Sequence, residues 1–156
     1  MIEILYQLDE HLLFISSYQE ANQLTFVLKR ETKSASCPHC GHLSHRPHST
    51  YIRTIHDLPV GDQAVILIIQ LHKWFCNQTD CTTKIFTERV PWLSPYRRKT
   101  KRLEDTLRTI AFSMSCLQAK KVCQRLHMPT SHDSLLDLIK YTSVTEIADP
   151  SPFCGH

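Results

Sequence analysis

The chain has 156 residues, is 42% hydrophobic and 21% charged, and holds 3 glycines, which excludes a disordered, collagenous or low-complexity protein over most of its length. That length suits one ordinary domain or two small ones. The net charge of +3 conceals an asymmetry: residues 1–90 carry 8 Lys/Arg against 9 Asp/Glu, whereas residues 91–140 carry 10 against 4.

The N-terminus has no basic stretch followed by an apolar run and a small-residue cleavage site, so no signal peptide is expected. The longest apolar run, 64–69, is far too short to span a bilayer. Seven cysteines without a secretion signal point to a reducing compartment, and a cytoplasmic protein with no membrane partner is expected.

In chain order, Ile2, Leu5 and Leu8 suit one or two helical turns. Residues 12–18 and 23–29 read as a β-hairpin turning at Asn22. A polar lead, 31–36, enters the run Cys37-Pro-His-Cys40-Gly41. Residues 51–58 read as a strand, Asp57-Leu-Pro-Val-Gly-Asp62 as a turn, and 64–75 as a long strand. Its apolar residues fall on both faces, which implies a central, buried position. That strand runs into Cys76, Cys81 follows after four intervening residues, and 86–88 form a short return strand.

Cys37-x2-Cys40 and Cys76-x4-Cys81 are two close pairs of the kind that supply a tetrahedral zinc site, each tight turn presenting two thiolates. Gly41 stands where such a knuckle needs a residue tolerant of positive φ. A disulfide lacks an oxidising context, and a thioredoxin-like redox pair would open a helix, whereas these surroundings are strand-like. His39, His42, His45 and His48 recur every third residue. Four thiolates already complete one shell, so these histidines are expected to be exposed or phosphate-facing.

From Pro91 the character changes. Pro91, Ser94 and Pro95 read as a linker anchored by Trp92. The basic cluster Arg97, Arg98, Lys99, Lys101 and Arg102 then opens a helix with Leu103, Leu107, Ile110, Ala111 and Met114 on one face. Ser115 is expected to cap a second helix that buries Ala119, Val122, Cys123 and Leu126. Ser131 is expected to cap a third that buries Leu135, Leu138 and Ile139. Two helices joined by the turn His127-Met-Pro-Thr130 suggest a helix-turn-helix, and the basic flank beside a zinc knuckle favours DNA. Cys116 and Cys123 suit core packing; Cys154 and His156 lie in a polar tail.

The order of these motifs resembles transposases of the ISL-three type of bacterial insertion sequence: CPHCG, then HSTYIRTIHDLPVGD, FCNQTDC, IFTERVP, basic residues and LHMPTSHDSLL, over roughly residues 1–141. The resemblance implies Zn2+ on Cys37, Cys40, Cys76 and Cys81, and a part that recognises the inverted repeats at element ends. In that family a catalytic domain with a metal-binding acidic triad follows. The surroundings of Asp149 do not match its first acidic motif, so no catalytic residue and no enzymatic activity are expected within this chain. His127 stands where the family usually has a turn glycine.

The expected architecture is α+β: a zinc-binding β domain over 1–90, a linker over 91–96, a helix-turn-helix over 97–141 and a tail over 142–156. The expected partner is double-stranded DNA at element ends, with a second copy or a full-length transposase as the protein partner. Arg97, Arg98, Lys99, Lys101 and Arg102 would neutralise phosphates, and Ser131, His132 and Ser134 would meet base edges. Three alternatives remain: an enzyme subunit that works only when paired with a separate catalytic chain, a zinc-stapled protein-interaction module, and a DNA-binding repressor of transposition.

Overall fold

A stretch apolar on both faces suits an interior strand of a sheet, and residues 64–69 lie between two other strands in the computed structural model, which describes residues 3–142. The elements are α1 (Glu3–Leu8), β1 (Leu12–Glu20), β2 (Gln23–Arg30), β3 (Ala35–Ser36), β4 (Leu43–Ser44), β5 (Pro47–Val60), β6 (Gln63–Phe75), β7 (Ile85–Thr87), α2 (Lys101–Ser113), α3 (Cys116–Arg125) and α4 (His132–Lys140). The fold is mixed α+β, sheet-rich first and helical afterwards.

Strand β6 is the centre of a five-stranded sheet ordered β1-β2-β6-β5, with β7 also pairing β6. The β1–β2 and β5–β6 pairs are antiparallel, while β2 and β6 run parallel, Gln23 opposite Ala64 through Lys29 opposite Gln70. Val65, Leu67, Ile69 and Leu71 are buried on the core face with Leu12, Leu24, Phe26, Leu28 and Ile55, and the alternate residues of β6 are half-buried. The strand is therefore central, as its composition predicts, with one face the drier.

Strand β5 extends further than expected. It continues through Pro59 to Val60, and the turn is Gly61–Asp62, with Gly61 at φ +61°. A register shift between Asp57 and Val60 admits the proline, which is tolerable because β5 lies at the sheet edge.

Contacts divide the chain into two compact units with their boundary between Leu103 and Glu104, later than the compositional change at residue 91. Trp92 and Leu93 are buried in the sheet's core, and Trp92 Nε1 donates to Asp9 Oδ2 at 3.1 Å. The segment that follows is fastened along β5: His56 N donates to the carbonyl of Arg98 at 2.8 Å, and Thr100 N to that of His56 at 3.0 Å. It thereby covers an edge whose backbone groups would otherwise be unpaired. Prolines suggested a linker here, but two buried apolar side chains tie the segment to the sheet.

In the helical unit, both expected caps are present. Ser115 accepts from Gln118 N and Ser131 from Ser134 N. Helices α3 and α4 pack together, burying Ala119 and Cys123 on one and Leu135 and Leu138 on the other. Val122 and Ile139 are half-buried. Leu126, expected to be buried, is 48% exposed because it is the C-cap of α3 and begins the turn. His127 takes φ +56°, with His127 N bonded to Gln124 O and Met128 N to Cys123 O. These two bonds form a Schellman motif, whose left-handed position usually carries glycine. Cys154, His156 and Asp149 lie outside the described residues.

Candidate metal centre

The first knuckle lies between the short strands β3 and β4. Cys37 N donates to the carbonyl of His42 at 2.9 Å and Gly41 N to that of Cys37 at 2.8 Å. Gly41 takes φ +73°, as the knuckle requires. The second knuckle follows the end of β6: Cys76 N donates to Lys84 O at 2.8 Å, prolonging the ladder with β7, and Cys81 N closes a turn onto Gln78 O.

The sheet brings the two knuckles together. The sulfurs of Cys37, Cys40, Cys76 and Cys81 lie within 4.8 Å of one another, Cys37 Sγ to Cys81 Sγ at 4.0 Å and Cys40 Sγ to Cys76 Sγ at 3.6 Å. Four sulfurs about 2.3 Å from a tetrahedral zinc stand about 3.8 Å apart, so the spacing fits the ion. Cys37, Cys76 and Cys81 are buried against Trp74 and Phe86, while Cys40 is exposed. Burial pushes the Cys37 thiol up, but the backbone N–H groups of Cys40 and His39 and the neighbouring thiols outweigh it and bring the group to about 7. At Cys76 the backbone N–H of Gln78 pulls the value down, but burial and the neighbouring thiols push it up to about 12. Zn2+ is the cofactor of this centre. Cys37, Cys40, Cys76 and Cys81 would hold it, and four thiolates would leave no position for water or substrate, so the chemistry it would supply is cross-linking.

The four histidines are exposed and stand outside the sulfur cluster. His39 Nε2 lies 3.3 Å from Thr82 Oγ1, spanning the two knuckles, and His48 packs edge-on against Phe75 at 4.8 Å.

Two further constellations carry no role assigned from sequence. Arg30 lies between two carboxylates, Nε to Asp9 Oδ2 and Nη1 to Glu88 Oε2, each at 2.7 Å. Glu88 also accepts from Thr32 Oγ1 and from His72 N. Asp57 accepts from Thr100 Oγ1 at 2.7 Å and from the Arg102 guanidinium. The Thr100 hydroxyl in turn accepts from Leu103 N, capping α2. The signal was present in the Asp-Leu-Pro and Phe-x-Glu-Arg motifs, whose acids are these anchors.

Of the basic block, Arg97, Arg98 and Lys101 are exposed, Lys99 is half-buried, and Arg102 is held by Asp57. At the start of α4, the Ser131 hydroxyl donates to Ser134 Oγ at 2.9 Å while accepting from Ser134 N, and His132 Nδ1 lies 3.6 Å from Asp133 Oδ1. No helix among the described residues is long and apolar enough to cross a membrane.

Residues 33–81 match the family model described as the zinc-finger of transposase IS204/IS1001/IS1096/IS1165. A transposase for insertion sequence element IS1001 from Bordetella parapertussis is 32% identical over 80 residues, covering 51% of this chain and 19% of the relative. The chain thus spans about a fifth of that relative's length. No solved structure matches the chain. Residues 33–81, which hold the four cysteines, thus resemble the zinc-finger of those transposases.

Proposed function

We propose that this chain is a DNA-recognising part of an insertion-sequence transposase, in which a zinc-stapled sheet carries a basic segment and a helix-turn-helix to the inverted repeats at element ends. The observation that carries the reading is the four-cysteine centre within a transposase zinc ribbon, followed by the basic block and the capped helices α3 and α4. In this reading Arg97, Arg98, Lys99 and Lys101 face phosphates and fix register, while α4 enters a major groove and His132 meets a base edge. Ser131 and Ser134 set the start of that helix as well as facing the groove.

This part binds without cutting. Strand transfer needs clustered carboxylates that hold divalent metal ions. Asp9, Asp57 and Glu88 are instead neutralised by Arg30 and Arg102.

The test is a mobility shift of the zinc-loaded protein on duplex DNA bearing an element end, against the same duplex scrambled, in magnesium. The expected result is a preferred, uncut complex with the element end, and a changed preference on His132→Ala. Equal binding to both duplexes, or metal-dependent nicking lost with one carboxylate substitution, would overturn the reading.

A further inference from the structure

Beside β5, the sheet edge, residues 87–90 and the segment 93–98 enclose a cleft of about 590 Å3. That volume lies in the range of small-ligand sites, and neither the metal centre nor α3 and α4 contribute to it. Its lining is basic: Arg53, His56, Arg89 and Arg98. Neither Arg89 nor Arg98 is ion-paired among the described residues. Glu88 also lines the cleft, but Arg30, Thr32 and the backbone N–H of His72 already occupy its oxygens. The positive field is felt at His56, whose ring burial together with Lys99 and Arg98 holds below its ordinary value. A site with this surplus takes an anion.

Tyr96 stands at the rim, 94% exposed and at φ +62°. A tyrosine adopts that left-handed conformation at a cost, and this one gains no burial from it. The loop that presents it is closed at its base by Lys101 N on Trp92 O at 2.9 Å and by a bridge between Leu93 and Thr100. Arg53 donates to the carbonyl of Arg97, and β5 fixes that of Arg98. The ring is thus held outward on a fastened loop above a basic cleft. Such a pairing of an aromatic platform with backbone-tracking cations is the physical basis of single-strand recognition, since every base has a π-face.

We propose that this cleft holds an unpaired nucleotide of DNA, its phosphate against Arg53, Arg89 and Arg98 and its base stacked on Tyr96. The proposal rests on the DNA-binding reading and adds to it a preference for strand ends or opened junctions over intact duplex.

The experiment measures fluorescence anisotropy of the zinc-loaded protein with a labelled oligothymidylate of roughly ten nucleotides and, separately, with an element-end duplex. Tyr96→Asn, which tolerates the left-handed backbone, should weaken single-strand binding roughly ten-fold, and Tyr96→Phe should retain it. Arg89→Gln should weaken it and lower its salt dependence, while both Tyr96 variants keep wild-type zinc content and duplex affinity. A wild-type protein that does not bind the single strand, or a Tyr96→Asn variant that binds it as tightly as wild type, would overturn the proposal. Duplex binding alongside that result leaves the DNA-binding reading standing, and loss of duplex binding with the single strand retained overturns that reading alone.

Discussion

Cys76 directly follows β6 and opens the second knuckle, so a zinc ion on its sulfur would sit one residue beyond the central strand. Changing Cys76 to Ser should abolish stoichiometric zinc and unfold the β unit, because a structural zinc supplies on the order of 10 kcal/mol of folding energy in small domains. Elemental analysis and circular dichroism check this; a variant that kept both metal and fold would contradict the four-sulfur centre. Glu88 serves the same sheet by charge. Its side chain is 1% exposed and answers Arg30, which is itself buried. Glu88→Gln keeps the volume but removes one of Arg30's two counter-charges while Asp9 remains, so urea unfolding should show a loss of about 1.5–3 kcal/mol, below that of a buried charge left alone. The cysteines were legible because metal chemistry dictates their spacing. Glu88 was legible only as part of a motif, because its partners Arg30 and Thr32 lie more than fifty residues away and no local pattern reports them.

At the scale of elements, the legible signals are those that act within a few residues. Ser115 and Ser131 cap their helices because a hydroxyl one residue before the first turn meets an orphan N–H nearby. The hairpin at Asn22 and the central place of β6 follow likewise from turn chemistry and unbroken apolarity. The parallel pairing of β2 with β6 was not legible, since a crossover sets it and leaves no local trace. The burial of Trp92 and Leu93 was obscured by the prolines on either side. How α2 begins is also a long-range matter: Asp57, 4% exposed, holds both the capping hydroxyl of Thr100 and the guanidinium of Arg102. Asp57→Ala should therefore loosen the first turn of α2. The expected cost is about 2–3 kcal/mol, below that of a fully buried pair because Arg102 is partly exposed. Hydrogen exchange should quicken at the amide of Leu103 and its neighbours. Unchanged protection there would show that the helix needs no anchor on the sheet.

For the whole molecule the decisive quantity is the distribution of charge. Residues 91–140 carry a surplus of six positive charges, while residues 1–90 are slightly acidic. A polyanion would therefore be drawn to one part of the chain, and its affinity would fall as salt rises because bound cations are released from DNA. The basic residues do not contribute alike. Arg97, Arg98 and Lys101 are exposed, whereas the Arg102 guanidinium is engaged by Asp57. Replacing Arg97, Arg98 and Lys101 by Ala should weaken binding to all duplexes alike and flatten the log–log salt slope by about 0.9 for each phosphate no longer neutralised, at most about 2.7 in all. Arg102→Ala should lower the melting temperature and leave that slope nearly unchanged. Duplex titrations across a salt series, with melting curves for each variant, separate the two effects. If the triple variant kept the wild-type slope, the exposed block would be only a solvated surface, and any DNA contact would have to lie elsewhere on the chain.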